Sequence, residues 1–136
     1  MNDLEEGSAL RLDFGKLSQA AACGGLIPVA VQDADSGQVL LVAYTNEAAF
    51  RAALAARRLI LWSTSRNELW EKGRTSGDTF DLVEVRVNCE QNSLLYRVRA
   101  RRGGICHTRG ADGRPRTTCF YRRLNLDTGT LDMVEP

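Results

Sequence analysis

Two stretches in the second half of the chain alternate apolar and polar side chains with a period of two. Leu94, Tyr96, Val98 and Ala100 oppose Arg97, Arg99 and Arg101, and Val83, Val85, Val87 and Cys89 share one face of the run from Phe80 to Cys89. Only extended chain places residues i and i+2 on the same side, so both runs are predicted strands with one buried face. Glu90-Gln91-Asn92 forms the turn between them. Two more β-branched runs, Pro28 to Asp33 and Val39 to Tyr44, flank Asp35-Ser36-Gly37 and predict a hairpin. Leu59 to Ser63 and Cys119 to Leu124 are shorter strands. The helix signal is clearest over Glu47 to Arg58, capped by Thr45 or Asn46, with Ala49, Phe50, Ala53 and Leu54 as its apolar stripe and Arg51, Arg57 and Arg58 facing out. The expected fold class is mostly β (α+β): an antiparallel, barrel-like sheet with one main helix. Residues 1–24 read as a loose arm and a short helix from Asp13 to Ala22. Residues 25–136 read as the single domain, with Thr64 to Gly77 and Gly103 to Thr118 as long loops.

Composition narrows the function classes. The chain has 136 residues and a net charge of +1, which excludes binding to nucleic acid by bulk charge and excludes an acidic disordered tail. No run approaches 18 apolar residues, and the first fifteen residues carry Asp3, Glu5 and Glu6 with no apolar core of a signal peptide. The expectation is a cytoplasmic protein with no membrane partner, in which thiols stay reduced. From Ser93 to Arg123 there are nine arginines against one acid, Asp112. That segment is either a solvated face or a site for phosphate, which the guanidinium fork binds in a bidentate way.

Four cysteines are present: Cys23, Cys89, Cys106 and Cys119. Cys23, before Gly24-Gly25, reads as structural. The other three lack the short knuckle spacing of a zinc finger. They are either buried thiols or a three-thiolate zinc site, which leaves the fourth position open for water. His107, the single histidine, follows Cys106 directly. It is either a satisfied polar group or a proton shuttle beside a metal. Asn88, Glu90 and Asn92 surround Cys89 with side-chain oxygens, but one carboxylate and two amides make a poor hard-cation site. The stretch from Trp62 to Gly77 gathers Ser63, Arg66, Trp70, Lys72, Thr75 and Ser76. It is either a polar loop over a tryptophan core or a surface that stacks a base and holds phosphates.

Trp62-Ser63-x-Ser65-Arg66-x-x-Leu69-Trp70-x-Lys72-Gly73-x-Thr75-Ser76-Gly77 closely resembles the signature loop of the phosphoribosyl-AMP cyclohydrolase family. Cys106-His107-Thr108 and Cys119-Phe120-Tyr121-Arg122 resemble it too, and the likeness runs in order from about residue 25 to 124. It implies a cytoplasmic enzyme of histidine biosynthesis that hydrolyses the N1–C6 bond of the adenine ring in N1-(5-phosphoribosyl)-AMP. It also implies an intertwined homodimer with zinc at the subunit interface, held by Cys89, Cys106 and Cys119. His107 becomes the proton shuttle. Trp62, Ser63, Arg66, Trp70, Lys72, Thr75, Ser76 and Thr108 become the substrate contacts. Three departures stand out. The family's magnesium positions are Asn88, Glu90 and Asn92 here, so two carboxylates are lost and a magnesium site is weakened. Asp78 replaces a histidine that often follows the Ser-Gly of the loop. The segment between Cys106 and Cys119 is longer and adds Arg109, Arg114 and Arg116. These changes keep open a diverged zinc hydrolase of another purine nucleotide. A non-enzymatic dimer that binds nucleotide or RNA fits less well, because it gives His107 no reason to adjoin a cysteine.

Overall fold

The computed structural model describes residues 3–10 and 24–135. The helix expected over Asp13 to Ala22, like Cys23, lies outside the described residues. The expected first hairpin forms from β1 (Ile27–Asp33) and β2 (Val39–Thr45), in register Val29↔Ala43 and Val31↔Leu41. Its turn is fixed locally. The Asp33 carboxylate accepts the Ser36 N–H at 2.7 Å, and Gly37, at φ 80°, takes the left-handed conformation that glycine adopts without a Cβ penalty.

After a short α1 (Asp3–Glu6), the main helix is α2 (Glu47–Ala56). Of the two candidate caps, Asn46 is the one used, its side chain accepting the Ala49 N–H at 2.9 Å. The helix stops at Ala56 rather than Arg58, because Arg57 turns left-handed (φ 56°) and donates its N–H to Ala53. Ala49 and Ala53 are fully buried, and Phe50 packs on the core. Leu54, expected in the same stripe, is 41% exposed, because it lies on the flank of the helix toward the outer side of β5.

Next come β3 (Ile60–Ser63) and β4 (Glu68–Glu71). The second of these corrects the expectation of one irregular loop from Thr64 to Gly77. Asn67 in a left-handed conformation closes a tight turn, and Trp62 pairs with Leu69. Then follow β5 (Phe80–Val87) and β6 (Leu94–Ala100). The face expected for β5 needs a correction as well. A bulge at Val83 breaks the alternation, so that Phe80 and Leu82 precede it on the core face and Val85 follows it there, opposite Tyr96. Val83 itself points outward. Beyond the predicted last strand, which shortens to β7 (Arg122–Leu124), a final β8 (Leu131–Met133) completes a small separate hairpin.

The strand order β4-β3-β2-β1-β6-β5 makes one six-stranded sheet. It is mixed rather than wholly antiparallel: the β5–β6 hairpin docks on the free edge of β1 with β6 parallel to it. The sheet curls until β5 reaches the chain just before β3. Leu59 donates to the carbonyl of Phe80 at 3.1 Å and Leu82 to that of Arg57 at 2.9 Å, which joins β5 to the chain entering β3. The result is a curled half-barrel whose inside is filled by Val29, Val31, Leu61, Tyr96 and Val98, all fully buried. Its outside carries Arg97 and Arg99 of β6 and Arg101 just beyond it. Arg97 reaches Glu84 at 3.2 Å, Arg99 grips both oxygens of Asp35 at 2.9 and 3.0 Å, and Arg101 meets Asp81 at 2.8 Å. Arg99 holds the Asp35 carboxyl below the usual range, and Arg97, then Arg86, do so for Glu84. These three arginines fasten strands, so the solvated-face reading describes them.

Candidate active site

The chain from Gly104 to Cys119 folds back over the end of the barrel where β2 begins. Cys119 donates its N–H to Leu40 at 2.8 Å, and the buried Thr118 hydroxyl donates to Val39 at 2.8 Å. Cys106 pairs its N–H with the carbonyl of Arg116 at 3.0 Å, so the two limbs of the loop run side by side. Gly104 permits this approach: a Cβ there would stand 2.2 Å from the Arg116 oxygen. The thiols of Cys106 and Cys119 are brought together. Burial, and then the adjacent Cys106, push the Cys119 thiol up to about 12, while Lys72 pulls it down. The Lys72 cation is thus near enough to act on this thiol. Cys106 is buried, its sulfur 2.9 Å from the Thr108 hydroxyl, and Thr108 is buried with it. His107 points outward, its side chain 80% exposed, and its imidazole meets the Glu5 carboxylate of α1.

Cys89 is elsewhere. Val87 and Val29 both align with Leu94, and Val29 aligns with Ala43. Cys89 lies two residues beyond that level and the Cys119 anchor, Leu40, three residues before it. At about 3.3 Å per residue, the separation along the strands alone is roughly 16 Å. Among the described residues no three Cys, His, Asp or Glu side chains gather as a metal site. One chain thus presents a pair of thiols, the buried Cys106 and the exposed Cys119, at one end of the barrel and the exposed Cys89 at the other. Soft, paired thiols suit zinc, and the donor set fits it once a third ligand arrives from outside.

The turn around Cys89 does not fit magnesium. The Asn88 side-chain oxygen accepts the N–H groups of Asn92 and Ser93 at 2.9 and 3.0 Å. Its amide donates to the Asn92 oxygen at 2.6 Å, and the Asn92 amide reaches Glu90 at 3.4 Å. The amide oxygens already serve as hydrogen-bond acceptors, and one carboxylate remains for a hard cation that needs several.

A second feature adjoins β4: a cavity of about 310 Å³ lined by Arg66, Trp70, Gly73, Arg74, Thr75 and Ser76 together with Leu69 and two carboxylates, Glu68 and Glu71, of which Glu68 lies 3.5 Å from Arg66. It brings together four of the substrate residues expected from sequence. Trp62 and Ser63 lie outside its lining. Trp62 pairs across to Tyr44 and Leu69, and Ser63 accepts the Arg66 N–H at 3.3 Å. Asp78 and Arg102 fix the turn that carries Thr75 and Ser76. Their side chains meet at 3.2 Å, and Arg102 also donates to the Ser76 carbonyl at 2.5 Å. Gly77 and Gly103 make room for the pair, since a Cβ on either would fall within 2.7 Å of the Arg102 or Asp78 side chain. Arg102 was legible only as one of many arginines. Its role comes from Asp78, the position where the sequence departs from the motif.

A model of the phosphoribosyl-AMP cyclohydrolase family matches residues 41–121. The phosphoribosyl-AMP cyclohydrolase of Halobacterium salinarum is 44% identical over 92% of this chain and 92% of its own. Those of Hyphomonas neptunium (44% identical over 74% of this chain and 71% of the relative) and Sphingopyxis alaskensis (45% over 77% and 78%) are similar to it as well. The matched span holds the paired thiols, His107, the cavity beside β4 and the Asn88–Asn92 turn. On these grounds the chain belongs to the phosphoribosyl-AMP cyclohydrolase family.

Proposed function

We propose that this protein hydrolyses the N1–C6 bond of the adenine ring in N1-(5-phosphoribosyl)-AMP, a step of L-histidine biosynthesis, as a zinc-dependent homodimer. The observation that carries the reading is the divided cysteine set. Cys106 and Cys119 lie together while Cys89 stands at the far end of the same barrel, so a second copy has to bring its own Cys89. Apolar side chains left on the outer face of the sheet, Val42 at 56% and Leu69 at 48% exposure, supply surface for that copy. When bound, zinc supplies the Lewis acidity that ionises water near neutral pH.

The chain's own residues do the rest. Arg66, Thr75 and Ser76 offer donors to phosphate oxygens, Arg66 by exchanging its Glu68 partner for phosphate, and Trp70 offers the ring face for a base. Lys72 places a cation beside the thiols. His107 takes a proton from the attacking water as it adds to C6, and returns one to N1 as the N1–C6 bond breaks. The product is the formimino carboxamide ribonucleotide. No step here uses magnesium. A cytoplasmic location goes with that biosynthetic role; among the described residues no helix is long and apolar enough to cross a membrane. Turnover of N1-(5-phosphoribosyl)-AMP by the zinc-loaded protein, followed by absorbance, tests the proposal. No turnover from folded, zinc-loaded dimer refutes it. In that case the altered Asn88–Asn92 turn and Asp78 favour another purine nucleotide as substrate, and a nucleotide panel would identify it.

A further inference from the structure

The segment from Asp3 to Leu10, expected to be a loose arm, is stitched to the cysteine loop and the β7–β8 hairpin. The Tyr121 hydroxyl donates to Glu5 at 2.9 Å, Arg122 to Gly7 at 3.0 Å, and Leu131 to Ser8 at 2.6 Å, while Ala9 bridges Thr130. At the centre of this seam Arg116 donates both terminal nitrogens to the two oxygens of Glu6, each at 2.9 Å. The Arg116 side chain is only 6% exposed and its guanidinium lies 4.1 Å over the Tyr121 ring. Among the described residues Glu6 is its one carboxylate partner, and the remaining nitrogen, Nε, is buried without a hydrogen bond.

Arg116 is also the backbone partner of Cys106. Its carbonyl accepts the Cys106 N–H, and its own N–H donates to Thr108 at 3.0 Å. The same few atoms therefore hold the arm at one end and space the two thiols at the other. A guanidinium buried this deeply does not keep its place once its carboxylate is removed, because an unpaired buried charge is strongly unfavourable. It turns toward water and draws its backbone away from Cys106.

We propose that Glu6 and Arg116 are positioning residues for the cysteine site: the arm, which lies outside the span matched to the family, sets the spacing of Cys106 and Cys119 and with it the affinity for zinc. This rests on the zinc reading above. Outer partners of metal ligands commonly govern affinity by 10- to 100-fold.

The test measures zinc affinity of the full chain by competition with a chromogenic chelator, in a double-mutant cycle of Glu6→Gln and Arg116→Gln. Glu6→Gln is expected to weaken zinc binding 10- to 100-fold when Arg116 is present, and less than about twofold when Arg116 is already Gln. Leu61→Val, a core change remote from the arm, separates positioning from general loss of stability and is expected to leave zinc affinity unchanged. Wild-type affinity in Glu6→Gln overturns the proposal, as does an equal loss in both backgrounds or an equal loss in Leu61→Val. A wild-type protein that takes up no zinc overturns the zinc reading itself, a different outcome from any of these.

Discussion

Replacing Gly104 with alanine tests the packing that brings the two thiols together. Gly104 does not adopt a left-handed backbone, so alanine pays no conformational penalty there and the effect is steric. The new Cβ would stand 2.2 Å from the Arg116 oxygen and 2.4 Å from the Pro115 oxygen. Both are backbone atoms and cannot swing aside like a side chain. Ordinary contact needs about 3.4 Å, so the two limbs of the loop must part by about 1 Å. That movement breaks the 3.0 Å bond from Cys106 to Arg116, a loss of about 1 kcal/mol. Overpacking adds about 1–3 kcal/mol. The expected destabilisation is therefore about 2–4 kcal/mol, read from urea unfolding of the zinc-free protein. Zinc affinity should fall with it, since Cys106 moves relative to Cys119. Gly113→Ala is the control, because a Cβ there meets nothing within 4 Å and only its positive φ is penalised. A Gly104→Ala protein with the wild-type urea midpoint would show that the limbs do not run as close as described, and the argument for loop spacing would fail.

Other expectations follow from the same geometry. If the zinc site is shared, mixing inactive Cys89→Ser and Cys106→Ser subunits should restore zinc and turnover, since one site of each mixed dimer keeps every ligand; no recovery on mixing argues against sharing. His107→Ala should keep its zinc but lose turnover, by about 100-fold if it moves the proton; wild-type turnover removes that role. Manganese, used as a paramagnetic probe, should not bind the Asn88–Asn92 turn, whereas the double change Asn88→Asp with Asn92→Asp should create a site; binding in wild type, abolished by Glu90→Gln, refutes the misfit. Asp35 and Glu84 have folded pKa values below their unfolded ones. Their contribution is present above the unfolded values of about 4 and is lost as pH falls through the folded ones. Stability to urea should thus drop on acidification below about pH 4, and Asp35→Asn should drop less; an unchanged slope would mean that the Arg99 pair contributes nothing measurable.

The sheet was readable because its signal is local and periodic. Tyr96 and Val98 fall on the buried face and Arg97 and Arg99 on the outer one, as a period of two requires. The errors arose where one residue shifts the phase. Val83 is the inserted residue of a bulge, and nothing in an otherwise regular valine alternation marks which residue a bulge takes. Strand β4 was hidden for a different reason. Glu68-Leu69-Trp70-Glu71 is too short to show a period, and it exists because β3 offers it an edge. The arm failed for a third reason. The segment reads as a loose arm until a buried arginine 110 residues away is placed against Glu6.

The cysteines show most sharply why function was easier to recognise from motif than to derive from spacing. Spacing carries information when ligands sit on one local element, as on a knuckle or one helix face. Here Cys106 and Cys119 are joined by a hairpin whose length is free to vary, because the Cys106–Arg116 and Cys119–Leu40 hydrogen bonds fix its ends and not its tip. The added length, expected within Arg109 to Arg116, therefore extends the hairpin toward its tip and leaves both anchored thiols where they are. Cys89 is set by the sheet register, which carries it away from its own chain's thiols. A ligand set split in this way has no signature separation in sequence. If zinc is shared between two copies as proposed, metal binding and chain association become a single equilibrium. Zinc removal should loosen the dimer, and dilution of the dimer should release zinc, with the same coupling free energy in both directions.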